Sequence, residues 1–404
     1  MSIVLDHALP KALTAGLWLA VAALAVGCSC RNETDVKNND PGSLDGDDDD
    51  DVTGDDDDDD TTDEGDTPPE DFGTWLSADI APEGDRLGIA YYDPNREAAG
   101  YATVRFEDDG TPIIRHERVY GYDDDDDEVG GYTTQVTAPD GTAWVAFHDS
   151  DDDELVVRQR TSRDSWGEPE TLGTGGRWAN MGLGPNGQVI VAHTHTDGVL
   201  RVTYQQGDEW ETDEVYSSAA TDWTLPDGTV ITRPAEVRQP RVYSDGNDVY
   251  VAFYDKAKGE LHLLSGALGV LSDEVVAGGS DQGAWPSMAT VDGKLVIAYQ
   301  DLAAEDLVLA TRNGTQWSFE VVDDGNLVGA DTEVIEHGGQ LNILYQDGFE
   351  SDLFRAVDAG GWSTSRVEGG ASAAGFHNEA VVFDGALHVI TYDYTNRALV
   401  FHQF

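Results

Sequence analysis

Val251-Ala-Phe-Tyr-Asp255 and Ile297-Ala-Tyr-Gln-Asp301 are two copies of one pattern: an aliphatic residue, alanine, an aromatic, a variable residue and aspartate. Five further segments fit it with small changes: Ile89 to Asp93, Val145 to Asp149, Val191 to His195, Ile343 to Asp347 and Val389 to Asp393. The last positions of the seven are separated by 56, 46, 60, 46, 46 and 46 residues, so the unit is 46 residues long, with insertions after the first and third copies. Self-similarity at such a period marks a repeat architecture.

Each unit carries the same punctuation. A turn pair precedes the terminal position: Asp140-Gly141, Asn186-Gly187, Asp245-Gly246, Asp292-Gly293 and Asp384-Gly385. These dipeptides suit the left-handed backbone of tight hairpins. A leucine follows in most units (Leu155, Leu200, Leu261, Leu307, Leu353, Leu399), and a tryptophan further on in several (Trp166, Trp210, Trp317, Trp362). Four short strand-forming segments fit between the marks, as in Pro286 to Val291, Lys294 to Gln300, Leu307 to Thr311 and Trp317 to Val322. The second strand is almost continuously apolar, so both faces of its sheet are covered. Four-stranded antiparallel meanders covered on both faces stack radially. The expected fold is an all-β, seven-bladed β-propeller over residues 73–404. The alanine of the pattern (Ala90, Ala146, Ala192, Ala252, Ala298) is expected near the crowded axis, and the chain ends after the third strand of blade seven, which leaves that blade short of a strand.

The 404 residues hold 79 Asp and Glu against 23 Lys and Arg, a formal charge of −56. Residues 73–404 alone carry 58 acids and 20 bases. Such a surface repels a phosphate backbone, which excludes nucleic acid as a partner. At the N-terminus Lys11 precedes a 15-residue apolar run, Ala12 to Val26, shorter than the roughly 20 residues a bilayer span needs. Ala25-Val26-Gly27-Cys28 resembles a bacterial lipobox, so residues 1–27 are expected to be a lipoprotein signal peptide and Cys28 the lipidated residue. Ser29 fits sorting to the outer membrane. Residues 28–72, with Asp47 to Asp51 and Asp55 to Asp60, are too polar to fold and read as a tether. The expected product is a monomeric propeller displayed at the cell surface, touching the membrane only through its anchor.

The recurring Tyr-Tyr-Asp or Tyr-Gln-Asp, leucine and tryptophan resemble bacterial propellers of the sialidase-like, BNR-repeat type over Gly73 to Phe404. Their Asp-box survives only in eroded form as Thr311 to Trp317, and the Arg-Ile-Pro motif of sialidases is missing, which argues against sialidase chemistry.

The face carrying the turns between second and third strands and the connections between blades is where ligands are expected. The aspartates ending the pattern read best as turn residues that accept backbone N–H bonds, with a ring of calcium or sugar ligands as the alternative. Blade three departs from the pattern with His193 and His195, blade two offers His148, and the long connection Ser217 to Pro234 brings Trp223 and Arg233. These histidines are candidates for a metal site with Asp149, or for a general base beside Tyr204, as in polysaccharide lyases built on propellers. Asp149, Asp151, Asp153 and Asp125 are candidates for a loose calcium site. Trp223, Arg233, Arg238 and Arg241 are candidate ligand contacts. The leading expectation is a lipid-anchored propeller that binds a glycan or a surface protein. The competing ones are a polysaccharide lyase or glycoside hydrolase and a purely structural envelope protein.

Overall fold

The computed structural model describes residues 74–404 apart from 108–109, 123–127, 208 and 226. The signal peptide, Cys28, the tether and Asp125 lie outside the described residues.

Seven antiparallel sheets follow one another along the chain. Blade five shows the unit: strand a (Gln282–Val291), strand b (Lys294–Asp301), strand c (Asp306–Asn313) and strand d (Gln316–Asp323), paired in that order. In the a–b hairpins of blades five and seven, Asp292, Gly293, Asp384 and Gly385 all have positive φ, as a two-residue turn requires. In blade two the fourth strand is broken into Ser165–Trp166 and Glu170–Thr174. Blade seven has three strands, Phe376–Phe383, Ala386–Asp393 and Ala398–Gln403. The insertion after blade three is a separate hairpin, Thr221–Thr224 with Val230–Arg233.

The axis is lined by the seven a strands: Thr74–Ile80, Val129–Thr137, Arg177–Leu183, Val237–Ser244, Gln282–Val291, Val328–His337 and Phe376–Phe383. This corrects the place given to the alanines. Ala90, Ala146, Ala192, Ala252 and Ala298 are fully buried, but in the b strands, where the neighbouring blade's sheet limits their size. Interblade packing is mainly apolar; Leu261, Leu263 and Tyr250 of blade four, for example, meet Ile297, Tyr299 and Val308 of blade five.

Among the described residues blade seven has three strands, and the ring closes by packing of blade one on blade seven. Leu76, Ile89 and Tyr91 of blade one pack on Val381, Ile390 and Tyr392 of blade seven. A belt of hydrogen bonds near the axis adds to this. In five blades, a side chain on strand a accepts the backbone N–H of the next blade's strand a: Ser77 from Gln135 (3.1 Å), Thr134 from Met181 (2.9 Å), Asn180 from Val242 (2.8 Å), Ser287 from Val334 (3.0 Å) and Glu379 from Ala78 (3.3 Å). The last bond joins the two ends of the ring.

Every a strand contains a register shift near its start. Gly283, two residues before the left-handed residue of this bulge in blade five, has φ +106°, and a Cβ there would lie 2.6 Å from Leu261 Cα and 2.8 Å from its nitrogen. Backbone cannot yield as a side chain can. Gly283→Ala is expected to destabilise the propeller by about 3 kcal/mol, read from a denaturant melt; a loss below about 1 kcal/mol, the ordinary effect of a point change, would contradict this account of the bulge.

Candidate functional site

One residue at each bulge sits in the left-handed region: Trp75, Tyr132, Trp178, Gln239, Trp285, Asp331 and His377, with φ between 50° and 54°. Bulky residues avoid this region, and single residues held there cost on the order of 1–3 kcal/mol each. The bulge leaves each of them unpaired in the ladder and turns its side chain toward the axis. All seven line one axial cavity of about 70 Å³.

The aromatic members meet one another. Ring centroids are 4.3 Å apart for Trp75 and Tyr132, 5.4 Å for Trp75 and Trp178, 5.2 Å for Tyr132 and Trp178, 6.0 Å for Trp178 and Trp285, and 5.0 Å for Trp75 and His377. Arg238 lies 5.6 Å from the Trp178 ring. The tryptophans are half-buried, as expected of a lined opening. Because the bulges lie beside the ends of the b strands, with Thr74 opposite Tyr92 and Phe376 opposite Tyr392, the aromatic ring occupies the centre of the face expected to take ligands.

Two residues further along the a strands, the cavity wall is charged. Arg241 lies 4.0 Å from Glu333 and 3.8 Å from Glu379. Arg241 and Glu379, which line the axial cavity, retain 25 % and 13 % exposure, and Glu333 beside them retains 20 %. Desolvation pushes the Glu379 carboxyl up to about 8, with Glu333 beside it adding to the rise and Arg241 opposing it. Glu333 is raised by the same burial. Asn378 is fully buried in the wall; its amide nitrogen donates to Asp331 O and Gly375 O, while its Oδ1 has no hydrogen-bond partner.

The histidine sector between blades two and three is partly assembled. Asp153 joins His148 (Nε2 to Oδ1, 2.9 Å) to His195 (Nε2 to Oδ2, 2.8 Å), with Arg177 Nε 3.6 Å away. Burial pushes the Asp153 carboxyl up, but hydrogen bonds from both histidines outweigh it and hold the group below its ordinary value. His193 has a different environment. Strand b ends at Thr194, so His193 and His195 do not share a strand; His193 is 1 % exposed, accepts Gly176 N–H at Nδ1 (3.2 Å) and faces Thr203 Oγ1 from Nε2 (3.1 Å). Both ring nitrogens are engaged. Burial lowers its pKa to about 3, so an NMR titration is expected to show His193 neutral, with a proton on Nε2, from pH 8 down to pH 4; a midpoint above pH 5.5 would refute this.

Tyr204 is not beside these histidines. It pairs with Ile190, whereas His193 pairs with Arg201, three residues or about 10 Å along the strand. Its hydroxyl donates to Glu211 (3.1 Å) and Asp213 (3.3 Å), and burial together with these carboxylates pushes its pKa up to about 12. A His and Tyr pair of the lyase kind is therefore not formed here.

The candidate calcium residues are turned to local use. Asp149 Oδ1 accepts N–H of Asp151 (3.1 Å) and Asp152 (3.3 Å), and Asp151 accepts Glu128 N–H (3.2 Å). The equivalent Asp93, Asp301, Asp347 and Asp393 accept N–H groups of their own turns, which is the turn role read from the repeat. Among the described residues no group of three or more His, Cys, Asp or Glu is arranged to hold a metal. Arg233 stacks on Trp223 at 3.8 Å and grips Asp281 with two bonds (3.0 and 2.8 Å), so this pair fastens the inserted hairpin to blades four and five. Arg238 pairs with Glu236, and Arg241 stands in the axial cavity.

No protein-family model and no curated protein matches the chain. Solved structures with a similar course of chain include an Aleuria aurantia lectin in complex with Fucα1-6GlcNAc (15 % identity, 67 % of this chain and 90 % of that one, TM-score 0.45). The polysaccharide lyase Uly1 (8 % identity, 81 % and 88 %, TM-score 0.48) is another. The Aleuria lectin is described as six-bladed; this chain has seven blades.

Proposed function

We propose that this propeller is a binding protein that takes a glycan end into the aromatic mouth of its axis. One observation carries the reading: three tryptophans and a tyrosine, each held in a costly backbone conformation at the same position of four blades, converge on one cavity. Indole and phenol faces match the C–H faces of sugar rings. Polar groups of Gln239, Asp331 and Asn378 around them suit hydroxyls, an apolar wall with a few convergent polar groups being the usual make-up of a small-ligand site. A volume of about 70 Å³ holds roughly five waters, the room of one sugar ring. With Tyr204 held by Glu211 and Asp213 away from His193, the histidine sector of blades two and three favours binding over lyase chemistry. The finer features of this reading are an exported outer-membrane lipoprotein anchored through Cys28, kinship with sialidase-like propellers and a monomeric body.

Indoles in the mouth provide the readout. A glycan array run with and without calcium, followed by tryptophan-fluorescence titration of the hits, is expected to give saturable changes in emission. If no glycan binds and none alters the emission, the reading fails.

A further inference from the structure

We propose that the glycan end recognised at the axis is cationic, a sugar bearing a free ammonium group. This rests on reading the axial cavity as the glycan site. The cavity is lined by the carboxyls of Asp331 and Glu379 and by one guanidinium, Arg241, which lies 3.8 Å from Glu379 and 4.0 Å from Glu333, beyond good hydrogen-bond reach. The buried Asn378 adds an unpartnered Oδ1 to the same wall. Buried acceptors left without donors are costly, and a ligand that brings N–H groups relieves that cost. Above them lie the faces of Trp75, Tyr132, Trp178 and Trp285, and aromatic faces attract cations most strongly where water is excluded. Arg238 already takes up such a position over Trp178. His377, the one basic residue of the ring, is held toward its neutral form by burial. Around the site, a body with 58 acids and 20 bases draws cations in and repels polyanionic glycans.

The test compares the de-N-acetylated glucosamine disaccharide with its di-N-acetylated counterpart by tryptophan fluorescence and calorimetry at pH 6, on the wild type, Asp331→Asn and Trp285→Ala. A disaccharide carries too little charge for general adhesion to an acidic surface. The expected result is about tenfold tighter binding of the ammonium form, a preference reduced at least threefold in Asp331→Asn, which keeps an acceptor for the His377 N–H. Both sugars are expected to bind more weakly to Trp285→Ala. Thermal melts confirm that the variants are folded. Equal binding of the two sugars would overturn the cationic inference and leave the glycan reading standing. An ammonium preference that survives unchanged in both variants would place the binding away from the axis and overturn the inference. Binding of neither sugar, with neutral glycans still active on the array, would overturn the inference alone; an array without hits would remove the glycan reading as well.

Discussion

Arg241→Met is expected to cost about 3–5 kcal/mol of stability at pH 8 and clearly less at pH 4.5. The guanidinium stands between Glu333 and Glu379 in the axial cavity, and methionine keeps much of the volume while removing the charge. The two carboxyls would then face each other in a desolvated wall. Removing one member of a buried charge group is destabilising chiefly because the remaining charge is left uncompensated. The pH dependence follows from linkage. A carboxyl whose folded pKa is raised, as for Glu379 at about 8, stabilises the fold most below the unfolded value near 4.5 and loses that contribution as pH rises through 8. At pH 4.5 both carboxyls in the variant are protonated and need no counter-charge. Chemical denaturation at the two pH values checks this; an equal loss at both would assign the effect to packing. Glu379→Gln, which keeps an oxygen to accept Ala78 N–H, is expected to flatten the fall in stability between pH 5 and 8.

The largest effect on binding is expected at Trp178. Its ring lies within 6.0 Å of Trp75, Tyr132 and Trp285 and beneath Arg238, so it is the central member of the aromatic mouth. Trp178→Ala is expected to weaken the glycan selected on the array by about 100-fold, the loss typical of a central aromatic anchor, while the propeller stays folded because the indole is only half-buried. Trp223→Ala serves as the comparison, since that tryptophan packs on Arg233 in the inserted hairpin and is expected to leave affinity unchanged. A Trp178→Ala protein with undiminished affinity would remove the mouth from the binding reaction.

Much of the architecture was legible because it is local. Turn pairs such as Asp292-Gly293, the aspartates that cap their own turns and the apolar b strands each recur at a fixed interval, and each acts through residues a few positions away. The axial site was missed for a reason that is also local. The repeat is most regular in the b strands, and a period-two pattern cannot show a residue that a bulge takes out of the ladder. A signal was present: glycine two positions before the ring residue, as in Gly130 and Tyr132, Gly176 and Trp178, Gly283 and Trp285, Gly329 and Asp331, Gly375 and His377. Three of the four steps between these glycines are 46 residues, the other spanning blade four, where Val237 takes the position. The histidines drew attention instead because they broke the repeat, but His193 breaks it by filling a buried gap beside Gly176 and Thr203.

The amino-acid sequence by itself determined the number of units, their strands, their turns and the acidity of the body, because periodicity, turn chemistry and charge act over short distances along the chain. Only the tertiary structure decided that seven residues spread over some 300 positions share one cavity, that Arg241 stands between Glu333 and Glu379, and that Glu379 reaches Ala78 to close the ring. Those relations depend on where the first strand of each blade meets the axis. That is set by the stacking of whole sheets on one another, which no single repeat contains.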